Sequence, residues 1–421
     1  METKRLLTVF IGALISSVLF MLSFMAAYGA PAEKGPIKIG GVSPLTGSIA
    51  GAGISHDNAV KMALEEIGYE MAGRKVKIIL EDEEFKPDVA LTKAKRLVGT
   101  EGVHILIGVA NSASAYALRE YVTGQKIPLL ISCHAGADEV TKRARSPYVL
   151  RCSINNYKNT AGLADYAYKQ LGYRKMIVAA SDFVAGYEYT AAFARVFTRL
   201  GGKIVQELYA PMGTPDFSPY IVKIDKTADA LFTFLPGVEG VRFVKQYAEY
   251  GLKGKLPHIC HATTEEEVLQ DEGEDAVGVI QLRTWFPSIP VSANKKFVDT
   301  YYKKYKECPT GSAATGYVAI KLIANAVKAV KGKVEDTEAF LAALRTASAE
   351  GPFGKVKFDK YGMVSSDMYI GRVEKVEGKP WKYEHKVIHT YKDVDQFWPY
   401  TPEEYMAMPE LAKLKGQLVT K

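Results

Sequence analysis

The sequence predicts an α/β protein of two lobes, each a parallel sheet carrying helices on both faces. Three observations predict it. The chain has 421 residues, too many for one compact core and suited to two domains of ~150 to 200 residues. Strand-like and helix-like stretches alternate along most of it with short turns between them, as parallel sheets with crossover helices require. The alternation runs through two similar series and then returns, so several chain crossings join the halves.

In the first series, "PIKIGGVSP" reads as a strand ending in a turn, and "ISHDNAVKMALEEIGY" follows with helical apolar spacing at Val60, Leu64 and Ile67. "KVKIILEDE" is a strand, and "PDVALTKAKRLVGTE" a helix with Pro87 in its first turn. "VHILIGV" (strand), "SASAYALREYVTGQ" (helix) and "IPLLISC" (strand) complete this series. The second series opens after "PYVLRCSIN". It runs through "GLADYAYKQLG", "KMIVAAS", "YTAAFARVFTRLG", "KIVQELYA", "FSPYIVKIDK", "DALFTFLP", "VRFVKQYAEYGL", "LPHICHA" and "VGVIQLRTW". Two amphipathic helices, "SANKKFVDTYYKKYKE" and "AATGYVAIKLIANAVKAVKG", then "TEAFLAALRTA", precede the β stretch "GKVKFDKYGMVSSDMYIGRVEKV" and a tail.

Apolar residues make up 48% and charged residues 24%, ordinary for a globular protein. The formal charge is +7, but the basic residues are dispersed. A nucleic-acid partner would need them on one face, so none is expected.

At the N-terminus, Lys4 and Arg5 precede an apolar run from Leu6 to Ala27 and the small residues Ala-Ala-Tyr-Gly-Ala-Pro-Ala. That is the order of a secretory signal, taken here as residues 1–30, with cleavage after Gly29 or after Ala32. An uncleaved anchor is the alternative, since ~20 apolar residues also span a bilayer. Either way the bulk of the chain is expected outside the cytoplasm, in the periplasm if cleaved. Cys133 is the first of four cysteines, which excludes a bacterial lipid anchor. Up to two disulfides are open to them there, and pairing Cys133 with Cys152 would close a short loop.

In open parallel sheets, ligands sit beyond the carboxyl ends of the strands. That rule selects six turns: Ser43 to Gly53, Gly108 to Ser114, Cys133 to Gly136, Ser181 to Gly186, Phe234 to Gly237 and Cys260 to Thr264. Facing lobes would bring all six to one cleft.

These residues resemble the periplasmic leucine/isoleucine/valine-type binding proteins of ABC importers, which have the type I periplasmic-binding fold. "IKIGGVSPLTGSIAGAGISHDNAVKMALEEI" is similar to that family's first strand, P-L-x-G turn and first helix. "HILIGVANSASAYAL", "IPLLISCHAGADEVT", "YVLRCS", "VAASDFVAGYE", "FLPGVEGVRFVKQYAEYGLKGKLP", "EDAVGVIQLRTW" and "GPFGKVKFDKYG" continue the match to about residue 375. The resemblance implies two Rossmann-like lobes joined by a three-crossing hinge. Lobe 1 would hold 36–152 plus 283–351, lobe 2 153–282 plus 352–400, and 401–421 would be a C-terminal tail. That tail is similar to those on relatives that bind aromatic or other hydrophobic carboxylates.

By the same resemblance, Ser112 holds a ligand carboxylate, and Ala135 and Gly136 supply backbone groups. Asn111 and Ser112 also begin a helix, whose free N–H groups and positive end suit an anion. Each dipole contact contributes ~0.3 to 1 kcal/mol, so several must converge to reach the about −8 kcal/mol of micromolar binding. Asn111 or Ser112 acting only as an N-cap is the plain alternative.

The chain also departs from the amino-acid binders. Gly136 stands where they carry Thr, and Ala185 where they carry an aromatic residue. Their acidic partner for the ligand's ammonium would fall near Ala262 or Thr263, and Glu265 to Glu267 lie further along. Losing that charge-assisted hydrogen bond costs ~1.5 to 3 kcal/mol. Smaller side chains would widen a pocket lined by Phe183 and Phe234. The expected ligand is therefore an amino acid or, by preference, an aromatic or hydrophobic acid.

Two Cys-His pairs, Cys133-His134 and Cys260-His261, stand at strand ends, one per lobe. Thiolate and imidazole suit zinc, copper or nickel, so a metal or metal chelate bound across the lobes is the alternative ligand. Buried cysteines beside hydrogen-bonding histidines are the ordinary reading, and no cofactor is expected.

No catalysis is expected. "GSIAGAG" lacks the spacings that cradle dinucleotides or nucleotide triphosphates, and neither G-x-S-x-G nor H-E-x-x-H occurs. The expected mechanism is clamp closure on a small-molecule solute, followed by docking on an ABC permease. A ligand-binding sensor module without transport is the alternative, and a secreted α/β enzyme the third reading.

Overall fold

β1 (Ile37–Ser43) lies at the centre of a six-stranded sheet because nearly every side chain along it is buried. The computed structural model describes residues 35–420, so the expected signal lies outside the described residues. The sheet also holds β2 (Glu70–Met71), β3 (Arg74–Asp82), β4 (Ile105–Gly108), β5 (Leu129–Ile131) and β6 (Val149–Arg151), in the order β2-β3-β1-β4-β5-β6. All neighbours run parallel except the short hairpin partner β2.

The second sheet carries β7 (Lys175–Ser181), β8 (Lys203–Ala210), β9 (Ala230–Phe234), β10 (His258–Cys260) and β11 (Ile280–Arg283) as parallel strands. β12 (Ser348–Gly351) and β13 (Gly354–Lys357) form a separate hairpin, and β14 (Ser366–Lys375) and β15 (Tyr383–Val394) return antiparallel to extend the second sheet beyond β11. Its order is β15-β14-β11-β10-β9-β7-β8. Both sheets are thus mostly parallel, as expected, with antiparallel strands at one edge of each.

After β11 the chain crosses back. The helices Ser292–Tyr305, Gly311–Ala329 and Thr337–Thr346 bury their apolar faces in the same core as β1, β4 and β5. Thr310 and Asp336 cap the last two through their side chains, accepting from Ala313 N at 3.2 Å and Ala339 N at 3.1 Å. A further crossing meets the end of β6, where Arg151 N donates to Gly362 O and Val364 N to Arg151 O.

The tail is built into the molecule. Thr401 and Glu404 form a capping box on the helix Pro402–Ala407. Tyr405 from this helix is fully buried, and its hydroxyl donates to Asp138 Oδ2 at 2.5 Å. Lys142 pairs with Asp138 at 2.7 Å and lies 3.7 Å above the Tyr405 ring. Arg143 donates to the carbonyls of Tyr405 and Met408 at 2.7 and 2.6 Å.

All four cysteines are free. Cys133 approaches Ser312 Oγ and Cys152 the carbonyl of Thr315, each at 3.7 Å, so the expected Cys133–Cys152 bridge is not made. No helix among the described residues is long and apolar enough to cross a membrane.

Candidate functional site: an aromatic cleft between the lobes

Each of the six turns selected from the sequence contributes to one cleft. Its walls hold Ile49, Ala110 and Ser112, then His134, and from the second sheet Phe183, Ala185, Phe234, Pro236 and Ala262. Phe85, Ile154, Asn156 and Tyr189 complete it. The cavity left between these walls is small, about 30 Å³.

The first wall is set by the end of β4. Gly108 has φ +97, and a Cβ there would stand 2.2 Å from Val42 O, so only glycine fits. Val109 follows in the left-handed region at φ 68, turning the chain into the helix Ser112–Gln125. Asn111 caps that helix, its Oδ1 accepting from Ala113 N at 2.8 Å, while its Nδ2 donates to Phe85 O at 2.8 Å. Asn111 thus shapes the wall by placing Phe85. Ser112 faces the cleft from the helix start, and its Oγ accepts from Asn156 Nδ2 at 3.4 Å.

Ala135 and Gly136 do not line the cleft. Ala135 N already donates to Val109 O at 3.0 Å, and Gly136 O accepts from Asn156 N at 2.9 Å. What Gly136 contributes is room, for a Cβ there would overlap Asn156 Oδ1 at 1.8 Å. Thr263 is likewise behind the wall, with Oγ1 bonded to Thr233 Oγ1 at 2.9 Å and Leu235 N at 3.1 Å.

The second wall is a run of rings. Tyr189 stacks on Phe234 at 4.2 Å and on His261 at 4.6 Å. Phe183 lies 5.9 Å from Phe234, and Phe85 crosses from the first lobe to meet Phe183 edge-on at 6.0 Å. Sequence reasoning missed Phe85 and Tyr189. Phe85 sits at a positive φ of 57 in a connecting turn, outside any strand end, and Tyr189 lies within the helix Val184–Arg199.

Among the described residues, no carboxylate lines the cleft. Glu265, the nearest sequence candidate for an ammonium partner, pairs instead with the buried Arg283. Glu188 stands behind Asn156, accepting from Asn156 Nδ2 at 2.6 Å, Asp138 N at 3.0 Å and Tyr116 Oη at 2.9 Å. Burial and the Asp138 charge raise its pKa. Burial and the charge of Arg283 hold His134 down to about 3 and His261 well below the usual imidazole range, so both are neutral. His261 Nδ1 lies 2.9 Å from Leu282 O and so carries the proton, leaving Nε2 a bare acceptor.

The twin Cys-His pairs do not form a ligand set. Burial pushes the Cys260 thiol up to about 12 and that of Cys133 well above its usual range, and Cys260 Sγ is engaged by Thr264 Oγ1 at 3.4 Å. Among the described residues, the group of metal-binding side chains that does converge is Glu265, Glu266 and Glu267.

One array has the connectivity of an acyl-transfer triad, unseen in the sequence. Ser132 Oγ lies 2.8 Å from His56 Nε2, and His56 Nδ1 2.9 Å from Asp57 Oδ1. All three are buried inside the first lobe and none lines the cleft. The trio ties β5 to the helix Ala50–Glu66.

Comparison with known proteins agrees with this geometry. The sequence profile of the family described as periplasmic binding protein matches residues 36–379. The Leu/Ile/Val-binding protein homolog 6 of Brucella melitensis is 28% identical over 388 residues, 90% of this chain and 96% of that one. An ABC transporter substrate-binding protein from Sphaerobacter thermophilus superposes with a TM-score of 0.80 at 33% identity, covering 86% of this chain and 99% of its own. A solute-binding protein of an ABC transporter from Rhodopseudomonas palustris BisB5, in complex with 3,4-dihydroxybenzoic acid, gives 0.80 at 31% identity, covering 86% and 98%. With its two sheets and the cleft between them, the chain belongs to the type I periplasmic binding proteins of the branched-chain amino acid family, whose role is to bind solutes.

Proposed function

We propose that the chain is exported to the periplasm, where it captures a compact aromatic or hydrophobic carboxylate between its lobes and delivers it to an ABC permease. The observation that carries this is the wall chemistry: five rings, a serine at a helix start and no carboxylate. An aromatic acid would bury its ring among Phe85, Phe183, Tyr189 and Phe234, with its anion near Ser112 and the positive end of the helix Ser112–Gln125. A free amino acid would bring an ammonium with no counter-charge, losing ~1.5 to 3 kcal/mol. The dihydroxybenzoate complex of the Rhodopseudomonas relative supports the same ligand class.

Clamp closure fits the contacts between the lobes. Tyr116 donates to Glu188, Phe85 meets Phe183, and Val238 N donates to Ser48 O at 3.4 Å. Contacts of this kind exist only when the halves are together, so ligand that touches both walls selects that state. On this reading the hinge crossings fall near residues 152, 283 and 352.

The test is mass spectrometry of small molecules released on denaturing protein purified from its native compartment, followed by a thermal-shift panel. Benzoate-type acids should raise the melting temperature more than branched-chain amino acids. A strong leucine shift that Ser112→Ala abolishes would overturn the ligand assignment.

A further inference from the structure

A second interlobe cavity lies apart from the aromatic cleft. Gly51, Ile54, Ser55, Cys308 and Thr310 wall it on the side of the first lobe, Glu266, Glu267 and Gln270 on the side of the second, around a cavity of about 620 Å³. None of these residues lines the aromatic cleft.

Its second-lobe wall gathers carboxylates, two of them buried and one half-buried. Oxygens of Glu265, Glu266 and Glu267 converge within 4.8 Å of one another. Glu265 has Arg283 as its partner, but both oxygens of Glu266 and Oε2 of Glu267 are buried without a hydrogen bond. Glu272, behind them, is also buried with both oxygens unbonded, and Glu384 is taken by Lys379 at 2.5 Å and Trp381 Nε1 at 3.1 Å. Buried carboxylates left without partners are expensive.

A second, independent group points at Glu266. His385 comes from β15, is fully buried, and is fixed by stacking on Phe286 at 4.7 Å. Its Nε2 meets Thr264 Oγ1 at 3.1 Å, while its Nδ1 lies 3.3 Å from Glu266 Oε1 with no hydrogen bond made by either atom. An imidazole nitrogen facing a carboxylate oxygen, with its other nitrogen held by a hydroxyl, is the arrangement of a metal-ligating histidine and its supporting contact.

We propose that Glu266 and Glu267, on the wall of this interlobe cavity, bind a divalent cation of the zinc class together with His385, buried behind that wall. The donor set decides the class: an imidazole nitrogen beside carboxylate oxygens suits zinc and its borderline neighbours, whereas calcium and magnesium take oxygen alone. Gly51 opens the helix Ala50–Glu66, and a Cβ on it would approach Glu267 Cβ to 3.1 Å, so the cation would sit where the lobes touch and favour their closed arrangement.

The intact chain, stripped with EDTA, is titrated with zinc chloride by calorimetry in the Cys308→Ser background, which removes the thiol lining the cavity. One zinc per chain is expected, with affinity falling at least tenfold in Glu266→Gln/Glu267→Gln and in His385→Gln. Replacing buried carboxylates by neutral amides should leave the metal-free melting temperature equal or higher, which separates lost binding from lost folding. Cobalt(II) absorption of the unmutated chain gives a second reading, visible bands of a nitrogen- and oxygen-ligated site being expected. No zinc uptake, uptake lost with Cys308→Ser alone, equal affinity in the glutamine variants, or tighter binding of calcium than of zinc would each overturn the proposal.

Discussion

The amide of Asn156 reaches the hydroxyl of Ser112 at 3.4 Å, joining the two walls of the aromatic cleft at the point where the helix Ser112–Gln125 begins. A carboxylate arriving there meets a hydroxyl already oriented by a neighbour and a helix end of favourable sign. Replacing Ser112 by Ala removes one hydrogen bond to a charged group, ~1.5 to 3 kcal/mol. Affinity for a benzoate-type acid, measured by calorimetry, should fall about 10- to 100-fold, while the ligand-free melting temperature should barely move. An unchanged affinity would place the carboxylate elsewhere.

Gly136 and Asn156 give the second prediction. A Cβ on Gly136 would overlap Asn156 Oδ1 at 1.8 Å, and Asn156 is held by Glu188, Gly136 O and Ser112. Gly136→Thr, which restores the residue of the amino-acid binders, should therefore displace Asn156 and not create a leucine site. Overpacking of this kind costs ~1 to 3 kcal/mol. Denaturation in urea should show that loss, and thermal shift should show aromatic-acid binding weakened with no leucine response.

The strand ends were legible in the sequence because strand-like runs such as "KMIVAAS" and "KIVQELYA", bounded by turns, fall on β7 and β8 with no displacement. The six turns followed from them, and with them Phe183 and Phe234, while Ser112 and Ala185 came from the family resemblance. What the sequence hid was set by neighbours distant in the chain. Asn111 and Ser112 read alike as cap and ligand, and only the position of Phe85 O shows that Asn111 is spent on the turn. Glu265 carries no mark that Arg283 will neutralise it. The Cys-His repeats looked paired because both end strands, yet their thiols turn into the lobes. β15 went unread because its alternation is interrupted by charged residues suited to an edge strand.

Glu83 supplies a pH dependence. Its Oε1 accepts from Ala110 N at 2.7 Å behind the cleft wall, and burial raises its pKa to about 7 from 4.5. The folded state thus holds its proton through a range where the unfolded chain has lost it. Stability from this group is complete below pH 4.5 and is lost as the pH rises through about 7, at a total of about 3 kcal/mol. Glu83→Gln keeps the acceptor for Ala110 and cannot ionise. The variant should gain stability over the unmutated chain as the pH climbs from 5 to 8, read as the difference between their urea midpoints. Parallel curves across that range would refute the assignment. Other buried acids shift in the same direction, so the comparison with the glutamine variant isolates Glu83.

Tyr405 tests whether the tail belongs to the fold. Its ring packs edge-on against Tyr157 at 4.6 Å and beneath the ammonium of Lys142 at 3.7 Å, and its hydroxyl satisfies Asp138 Oδ2. Lys142 is fully buried, and burial lowers its pKa to about 8 despite the pairing with Asp138. Its charge therefore depends on the rings around it and on that one carboxylate. Tyr405→Ala opens a cavity and uncovers this pair, at ~3 to 5 kcal/mol. Tyr405→Phe keeps the packing and leaves one carboxylate oxygen short of a donor, at ~1 to 3 kcal/mol. Chemical denaturation should rank the alanine variant below the phenylalanine variant and both below the unmutated chain. Removal of everything after Tyr400 should match or exceed the alanine loss, because it also strips the carbonyls of Tyr405 and Met408 from Arg143. A truncated chain as stable as the whole would mean that Lys142 finds its solvation without the tail.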